Sequence, residues 1–296
     1  MSDYHLHLHP HVEPGVALDP GLPQGEYPPG HIEAYVEAAA ARGVFELGFT
    51  EHLYRCREAA PVLGPFWDAP GTPPDLASLS VAMVGADLTL SLESYVSAVQ
   101  AAKDRGLPVR LGLEVDFFPE TIEAVAELLD PYPWDFLIGS VHWIGGWAVD
   151  APHSTHEFDR RGVEQAWADY FALEEQLAAS GIVDVLAHVD VVKKFGRRPL
   201  IDPSHWYRAV VEAARESGTA VEVSSQGLRK PANEIYPSPE FLRLFCEYEV
   251  PITLASDAHS ASEAGWGHDE VVAAALAAGY SHSLHFDGRQ RSSVPL

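Results

Sequence analysis

Hydrophobic and polar residues alternate at the start of the chain. The stretch Asp3-Tyr4-His5-Leu6-His7-Leu8-His9 carries an imidazole at every second position, and residues two apart in an extended chain share a face. The pattern predicts a first strand with its imidazoles on one face and its apolar side chains on the other. Paired histidines on rigid backbone are typical ligands of Zn, Fe or Mn. A polar edge strand is the alternative interpretation.

After this strand, segments of helical periodicity alternate with short apolar runs. The predicted helices cover residues 32–42, 90–105, 121–129, 163–180, 202–217, 239–248 and 262–278. The predicted strands cover residues 44–50, 109–115, 134–141, 182–187, 219–224 and 251–255, with a short one near His285. Parallel strands need a crossover between them, so this order predicts parallel βα units.

Seven such units indicate an α/β fold of the barrel type, with a doubly wound open sheet as the alternative. A length of 296 residues and a hydrophobic content of 47% suit a single domain over 1–296. Three segments are expected to be loops that shape the entrance to a site: 12–30, 56–89 and 143–162. The second is rich in proline, glycine and alanine, and a loop of that length is usually a lid or an insertion.

Potential metal ligands follow the predicted strands at corresponding positions. They are His5, His7, His52, Glu114, His142, His188, Asp257 and His259, with His9, His11 and Glu13 just after the first strand. A barrel carries its functional residues at the C-terminal ends of its strands. Each histidine alone would more often be a structural residue, but the repeated placement favours a metal site. The set is too large for one tetrahedral ion and suits two or three.

Composition limits the possible partners. The formal net charge of -24 opposes binding of a nucleic-acid backbone, whereas a small anionic substrate remains compatible because bound metal ions supply local positive charge. The two cysteines, Cys56 and Cys246, are too few for a disulfide framework. We find no signal-peptide pattern and no apolar run near the roughly 18 residues of a membrane span. A cytoplasmic enzyme is therefore expected; the oligomeric state stays open.

The ordered motifs resemble those of the polymerase and histidinol phosphatase (PHP) family of metal-dependent phosphoesterases, and within it the histidinol-phosphatase branch. The matching segments are Asp3–His7, Phe49–His52, Gly112–Asp116, Gly139–His142, Ala187–Asp190, Ser224–Pro231 and Ser256–His259. The resemblance covers nearly the whole chain. It implies a distorted seven-stranded (β/α) barrel with a trinuclear metal cluster. From the ligand types we expect two or three divalent transition-metal ions, of Zn, Fe or Mn.

The resemblance also implies how the ligands divide. One metal would be held by His5, His7, Glu114 and Asp257, and Glu114 would bridge to a second metal held by His142 and His188. A third would be held by His52, His259 and a histidine after the first strand. The family places that histidine where this chain has Val12, flanked by His11 and Glu13. We favour His11, because His9-Pro10-His11 resembles the family's Cys-Pro-His with one residue deleted.

Several residues are candidates for catalysis or substrate binding. Glu114, Asp257 and His259 are expected to be catalytic together with Arg229, whose planar fork can clamp a phosphate directly after a strand. Lys230, Arg197 and His156 are further candidate substrate contacts, with ordinary surface residues as the alternative. Outer carboxylates that orient the imidazoles are predicted at three positions, namely Glu51, Asp116 and Asp190, with solvated loop carboxylates as the alternative.

The predicted function is hydrolysis of a small phosphomonoester. The resemblance specifies L-histidinol phosphate, cleaved to L-histidinol and phosphate in histidine biosynthesis. One alternative is a PHP-type phosphoesterase acting on another small phosphate ester or on oligonucleotide ends. A degenerate module kept for binding would have lost ligands, yet every central position carries a competent residue. An amidohydrolase of related barrel type would usually bridge its metals with a lysine, where this chain has Glu114.

Overall fold

The computed structural model describes residues 1–12 and 24–296. Its strands are β1 Ser2–Leu6, β2 Glu46–Phe49, β3 Val109–Leu111, β4 Glu114–Asp116, β5 Ile138–Ser140, β6 Trp143–Ile144, β7 Trp147–Ala148, β8 Val185–Leu186, β9 Ala220–Ser224, β10 Ile252–Ala255, β11 His282–Asp287 and β12 Gln290–Pro295. Its helices are α1 His31–Ala40, α2 Ala60–Leu63, α3 Pro74–Asp87, α4 Leu92–Asp104, α5 Ile122–Leu129, α6 Glu157–Arg161, α7 Val163–Ser180, α8 Ser204–Ser217, α9 Pro239–Glu247 and α10 His268–Ala278.

Parallel strands form a distorted barrel. The strand order is β1-β2-β3 in one sheet and β10-β9-β8-β5-β4 in the other. The strands β3 and β4 are consecutive pieces of one predicted strand, and a bridge between His52 and Glu114 links β4 to the end of β2. The ring closes where Leu6 bridges Ala258 and the His7 amide donates to the Ala258 carbonyl at 2.7 Å. Seven strand positions thus surround one interior within the described ranges, as predicted.

A compact apolar cluster fills one part of the barrel. Its members are Tyr4, Phe136, Ile138, Val185, Ala187, Ala220, Leu284 and Phe286. The C-terminal hairpin β11–β12 supplies the last two, and the Tyr4 hydroxyl lies 3.0 Å from the Phe286 amide. A Cβ atom added at Gly48 or Gly112 would lie only 2.5 Å from the Phe136 ring. Both glycines therefore make room for the phenyl ring inside the barrel.

The helices bury apolar stripes against the outside of the strands. In α8, Tyr207, Val210, Val211 and Ala214 are buried at helical spacing. This stripe packs on α7, where the rings of Phe171 and Tyr207 lie 5.4 Å apart. The helix α7 covers the residues that the periodicity predicts, and its C-cap Gly181 has φ 63° in the left-handed region.

The prediction that 56–89 is a loop was wrong, because this segment contains the 14-residue helix α3. The buried residues of α3 recur at helical spacing, but two of the four, Ser80 and Asp87, are polar. The segment therefore lacks the apolar periodicity that would predict a helix from the sequence. The last helix also begins later than predicted, at His268 rather than near Ser262. The loop predicted at 12–30 lies largely outside the described residues.

The predicted alternation along the first strand holds for only part of it. The strand ends at Leu6, and its register against β2 shifts between Asp3 and Leu6. Tyr4 consequently joins the barrel interior, whereas Leu6 and Leu8 belong to the larger core. His9 does not follow His5 and His7 to the same face.

None of the helices in the described ranges is long and apolar enough to span a membrane.

Candidate metal centre

Glu114, the first residue of β4, lies at the centre of a group of imidazoles. Its side chain is fully buried, and its two oxygens face different histidines. One oxygen, Oε2, lies 2.7 Å from His52 Nδ1, 3.4 Å from His5 Nε2 and 3.6 Å from His7 Nε2. The other, Oε1, lies 3.0 Å from His188 Nε2 and 3.3 Å from His142 Nε2. This geometry suits a carboxylate shared between two metal positions.

Asp257 follows β10 and provides the second carboxylate. Its Oδ1 atom lies 3.4 Å from His7 Nε2, 3.7 Å from His5 Nε2 and 3.5 Å from His259 Nδ1. The Gln226 amide donates to its Oδ2 atom. The φ angle of Asp257 is 50°, in the left-handed region that non-glycine residues rarely occupy. Such strain is concentrated at functional sites, where the surrounding structure maintains it.

The structure brings His11 to the cluster and takes His9 away from it. The Nε2 atoms of His11 and His259 lie 3.1 Å apart, and the His11 ring centroid is 4.8 Å from that of His52. His9 instead contacts Glu51 at 3.4 Å and the Glu26 carbonyl at 3.0 Å. Glu13 lies outside the described residues. The geometry favours His11 as the histidine after the first strand.

The donor set fits divalent transition-metal ions. Four groups have ligand atoms within 4.8 Å of one another: His5, His7 and Asp257; His5, Glu114 and His188; His52, Glu114 and His142; His7, His52 and His259. Several buried atoms of the cluster make no hydrogen bond of acceptable geometry to the described residues, even where a neighbouring atom is close. They include Glu114 Oε2, Asp257 Oδ1 and both ring nitrogens of His52. Buried polar atoms are normally satisfied, so converging unsatisfied acceptors indicate bound cations.

The electrostatics favour the ligating forms of Glu114, Asp257 and His7. Burial alone would lower the pKa values of His5 and His142, but neighbouring carboxylates raise them well above the ordinary value. Burial alone would raise the pKa of Glu114, but the imidazoles of His52 and His5 hold it well below its ordinary value. Asp257 behaves in the same way, because nearby histidines offset its burial and hold its pKa well below the usual range. Burial and the neighbouring His52 lower the pKa of His7 to about 4. Ionised carboxylates and neutral imidazoles are the forms that bind metals.

Outer carboxylates orient two of the imidazoles. Asp116 Oδ1 lies 2.9 Å from His142 Nδ1, and Glu222 Oε2 lies 2.8 Å from His5 Nδ1. An ionised carboxylate only accepts hydrogen bonds, so in the neutral, ligating form of each ring Nδ1 carries the proton and Nε2 keeps its lone pair for the cluster. Asp116 was predicted in this role, whereas Glu222 was not. The sequence feature that could have indicated Glu222 is its position as a lone acid between two valines of β9.

The other two predicted outer carboxylates make their hydrogen bonds elsewhere, although Glu51 Oε2 lies 3.9 Å from His7 Nδ1, beyond hydrogen-bonding distance. Glu51 Oε1 accepts the amides of Leu8 and His9 at 2.8 and 3.0 Å, which holds the turn after β1. Asp190 bonds Lys193 at 2.7 Å and the Ser238 amide at 2.8 Å. It therefore anchors a buried lysine and does not orient His188.

The cluster opens into a cavity with two arms that share His11, His52, His142, Asp150 and Lys194. The polar arm, of about 340 Å³, is lined by basic side chains that include Arg229 and Lys230 as well as the shared Lys194. The smaller arm, of about 150 Å³, is largely apolar and lined by Tyr54, Met83, Trp143 and Pro152. The metal centre thus lies between a cationic surface and an apolar one.

Of the candidate substrate contacts, Arg229 and Lys230 line the cavity. The Arg229 guanidinium donates to the Ser256 carbonyl at 2.7 Å, pairs with Glu263 at 2.8 Å and lies over the Trp266 ring. Burial lowers the pKa of Lys230, and the positive charge of the nearby Lys194 lowers it further.

The structure does not bring Arg197 or His156 to this cavity. Arg197 pairs with Asp159 at 2.9 Å, and His156 pairs with Asp75 at 3.1 Å, both on the surface. The segment 143–162 contains the helix α6 and the hairpin β6–β7, which were not predicted, and it lines the cavity through Trp143 and Asp150 but not through His156. We therefore assign neither residue a role in substrate binding.

Comparisons with known proteins identify the family and agree with the fold. The model of the PHP domain family matches residues 29–226. A Deinococcus radiodurans protein named "Probable histidinol-phosphatase" is 34% identical over 248 residues, which cover 82% of this chain and 85% of that protein. The histidinol-phosphatase of Bacillus subtilis is 27% identical, over 81% of this chain and 91% of the relative. The solved Lactococcus lactis histidinol phosphate phosphatase, in complex with Zn, L-histidinol and phosphate, superposes with a TM-score of 0.70 at 21% identity over 98% of each chain.

Proposed function

This chain belongs to the PHP family, and we infer that it is a phosphoric monoester hydrolase that converts L-histidinol phosphate and water to L-histidinol and phosphate. The observation that carries the inference is Glu114, whose two oxygens face separate sets of imidazoles on the floor of a cavity with cationic and apolar arms. The named relatives support the substrate, because histidinol-phosphatases match this chain over more than four fifths of its length.

We propose that the cluster holds two or three divalent ions, of Zn, Fe or Mn. His5, His7, Glu114 and Asp257 would hold one, Glu114 with His142 and His188 a second, and His11, His52 and His259 a third. When bound, such ions lower the pKa of water and neutralise phosphate oxygens. Zn is present in the Lactococcus lactis structure, and nitrogen-rich sites of this kind also accept Fe or Mn.

The polar arm supplies the groups that would orient the phosphate. Arg229 is held by the Ser256 carbonyl and by Glu263, so its guanidinium keeps one orientation in the cavity wall. Lys230 and Lys194 add positive charge on the same side. Fixed cations beside a phosphoryl group stabilise the charge that develops on its oxygens during transfer. Together with Glu114, Asp257 and His259 in the cluster, Arg229 is our candidate catalytic residue.

The apolar arm would receive the organic part of the substrate. Tyr54, Met83 and Trp143 form a wall against which an imidazole ring can pack. Asp150 lies at the junction of the two arms and pairs with Lys194 at 2.9 Å. Its carboxylate is therefore placed to attract the ammonium group of histidinol, while the phosphate lies over the cluster.

Phosphate release tests the proposal. Protein whose metals have been counted by elemental analysis is given L-histidinol phosphate, an aryl phosphate and a 5′-phosphorylated single-stranded oligonucleotide in parallel. We expect a preference for L-histidinol phosphate with two or three ions per chain. Equal turnover of the aryl phosphate would contradict the substrate, and a preference for the oligonucleotide would favour the alternative of activity on nucleic-acid ends. Protein that binds no metal and releases no phosphate from any of the three compounds would refute the proposed enzymatic function.

A further inference from the structure

Asp87, the last residue of α3, contacts four polar groups next to the proposed metal centre. Its side chain is nearly inaccessible, with 4% exposed. One oxygen, Oδ2, lies 2.8 Å from His11 Nδ1 and 2.6 Å from the Tyr54 hydroxyl. The other, Oδ1, accepts the Val12 amide at 2.8 Å and forms an ion pair with Arg55 Nε at 3.0 Å. Groups that carry protons thus surround both oxygens.

This arrangement fixes the proton on the His11 ring. Because an ionised carboxylate only accepts hydrogen bonds, the Nδ1 atom of His11 must be the donor, and Nε2 keeps its lone pair. The Nε2 atom of His11 lies 3.1 Å from the Nε2 atom of His259. Two nitrogens at bonds of about 2.0–2.1 Å to one tetrahedral ion are separated by little more than this distance. The contact with Asp87 therefore prepares His11 to share an ion with His259.

Arg55 fixes the backbone that carries His11. Its guanidinium is fully buried and donates to the carbonyls of His9 and Pro10, each at 2.9 Å. The same side chain pairs with Asp87, which also holds the Val12 amide. The residues before and after His11 are thus attached to one ion pair. The loop after β1 gains a defined position without a strand to hold it.

We propose that Asp87 is a positioning residue for one metal position, the one that His11, His52 and His259 would form, so that α3 governs the loading of that ion. The inference rests on the proposed metal-dependent function and extends it to an element outside the predicted motifs. An uncharged amide at position 87 would offer one oxygen where the carboxylate offers two. Its NH₂ group facing His11 would favour the tautomer with the proton on Nε2, which leaves no lone pair on that atom to bind an ion shared with His259.

The test is the metal affinity of Asp87→Asn, a substitution of nearly the same shape. Apo protein is equilibrated at buffered free Zn²⁺ concentrations and the bound metal is counted by elemental analysis. We expect the last ion to need about 10- to 100-fold more free Zn²⁺ than in the wild type, the usual effect of losing an outer partner. The other ions should bind as before. The matched control is Asp75→Asn, which removes an exposed carboxylate at the start of the same helix and should leave the binding curve unchanged.

Three results would overturn the proposal: a binding curve for Asp87→Asn that matches the wild type, an equal weakening of every ion, or a wild-type protein that never takes up a third ion. His11→Gln provides a second measurement if Asp87→Asn folds poorly. It should lose the same ion, and the double variant should lose nothing more, because both changes act on one site. Additive losses would contradict the coupling. Wild type that is fully loaded yet leaves L-histidinol phosphate intact would refute the proposed substrate, while the Zn²⁺ titrations would still decide the role of Asp87.

Discussion

The Nδ1 atom of His5 lies 2.8 Å from a carboxylate oxygen of Glu222, in the middle of strand β9. The other oxygen of Glu222 accepts the backbone amide of His188 at 2.7 Å. One buried acid therefore orients a ligand on the first strand and fixes the backbone of a second ligand, which follows β8. The two histidines belong to different proposed metal positions that share Glu114. Glu222 thus contacts one ligand of each proposed position from outside the cluster.

Glu222→Gln should lower metal affinity without unfolding the protein. The amide can still accept one hydrogen bond, but it no longer fixes the Nδ1 proton of His5 with a charge, and we expect about 10- to 100-fold weaker metal binding. Titration of apo protein with Zn²⁺ measures the change. Glu216→Gln, at an exposed position of α8, is the matched control. Unaltered affinity in Glu222→Gln would show that the His5 contact is incidental.

Glu114→Gln should remove both metal and activity. Each carboxylate oxygen faces its own set of imidazoles, and an amide has only one oxygen to offer. We expect at least one ion fewer per chain by elemental analysis and a fall in kcat of about 100-fold or more, because two metal positions lose a shared ligand. Near-normal turnover by this variant would refute the assignment of the cluster.

Arg229→Ala should weaken substrate binding and leave the metals in place. The guanidinium lines the polar arm, and a guanidinium carries only hydrogen-bond donors, so it cannot ligate the ions. Loss of a charged hydrogen bond, about 1.5–3 kcal/mol, corresponds to a roughly 10- to 100-fold higher KM for the phosphorylated substrate. Steady-state kinetics with metal analysis checks this. Arg197→Ala serves as the control, since Arg197 pairs with Asp159 outside the cavity. Loss of metal in Arg229→Ala would mean that the residue supports the cluster instead.

Glu46 should contribute stability that disappears in acid. Burial raises its pKa, but hydrogen bonds from His285, Tyr4 and Arg110 outweigh burial and lower the pKa to about 2. A folded-state pKa below the ordinary value of 4.5 means that the stabilisation is complete above pH 4.5 and is lost as the pH falls toward 2. After allowance for solvent screening, its size is about 1–2 kcal/mol.

Urea unfolding of metal-free protein tests this assignment with Glu46→Gln. The variant should unfold more easily than wild type at pH 7, and the difference should shrink between pH 4.5 and pH 2. Glu216→Gln is a suitable control, because Glu216 lies at an exposed position of α8. A difference that is constant with pH would show that the ionised carboxylate of Glu46 makes no net contribution.

The sequence by itself determined the barrel and the identity of most of the candidate ligands. Alternating strands and helices imply parallel pairing, and parallel pairing brings the C-terminal strand ends together. Glu114, His142, His188 and Asp257 each lie at or just after the end of a predicted strand, so their convergence required no knowledge of side-chain packing. Local order along the chain was sufficient for this part of the site.

Only the tertiary structure decided which side chains support the ligands. His5 and Glu222 are 217 positions apart, and His11 and Asp87 are 76 apart. Arg197 and His156 looked like binding residues from their neighbours in sequence, yet they pair with acids on the surface. Such contacts depend on where the barrel closes and how α3 packs against the loop after β1. Residue spacing carries no record of that packing, because any buried acid can satisfy an imidazole once the fold brings the two together.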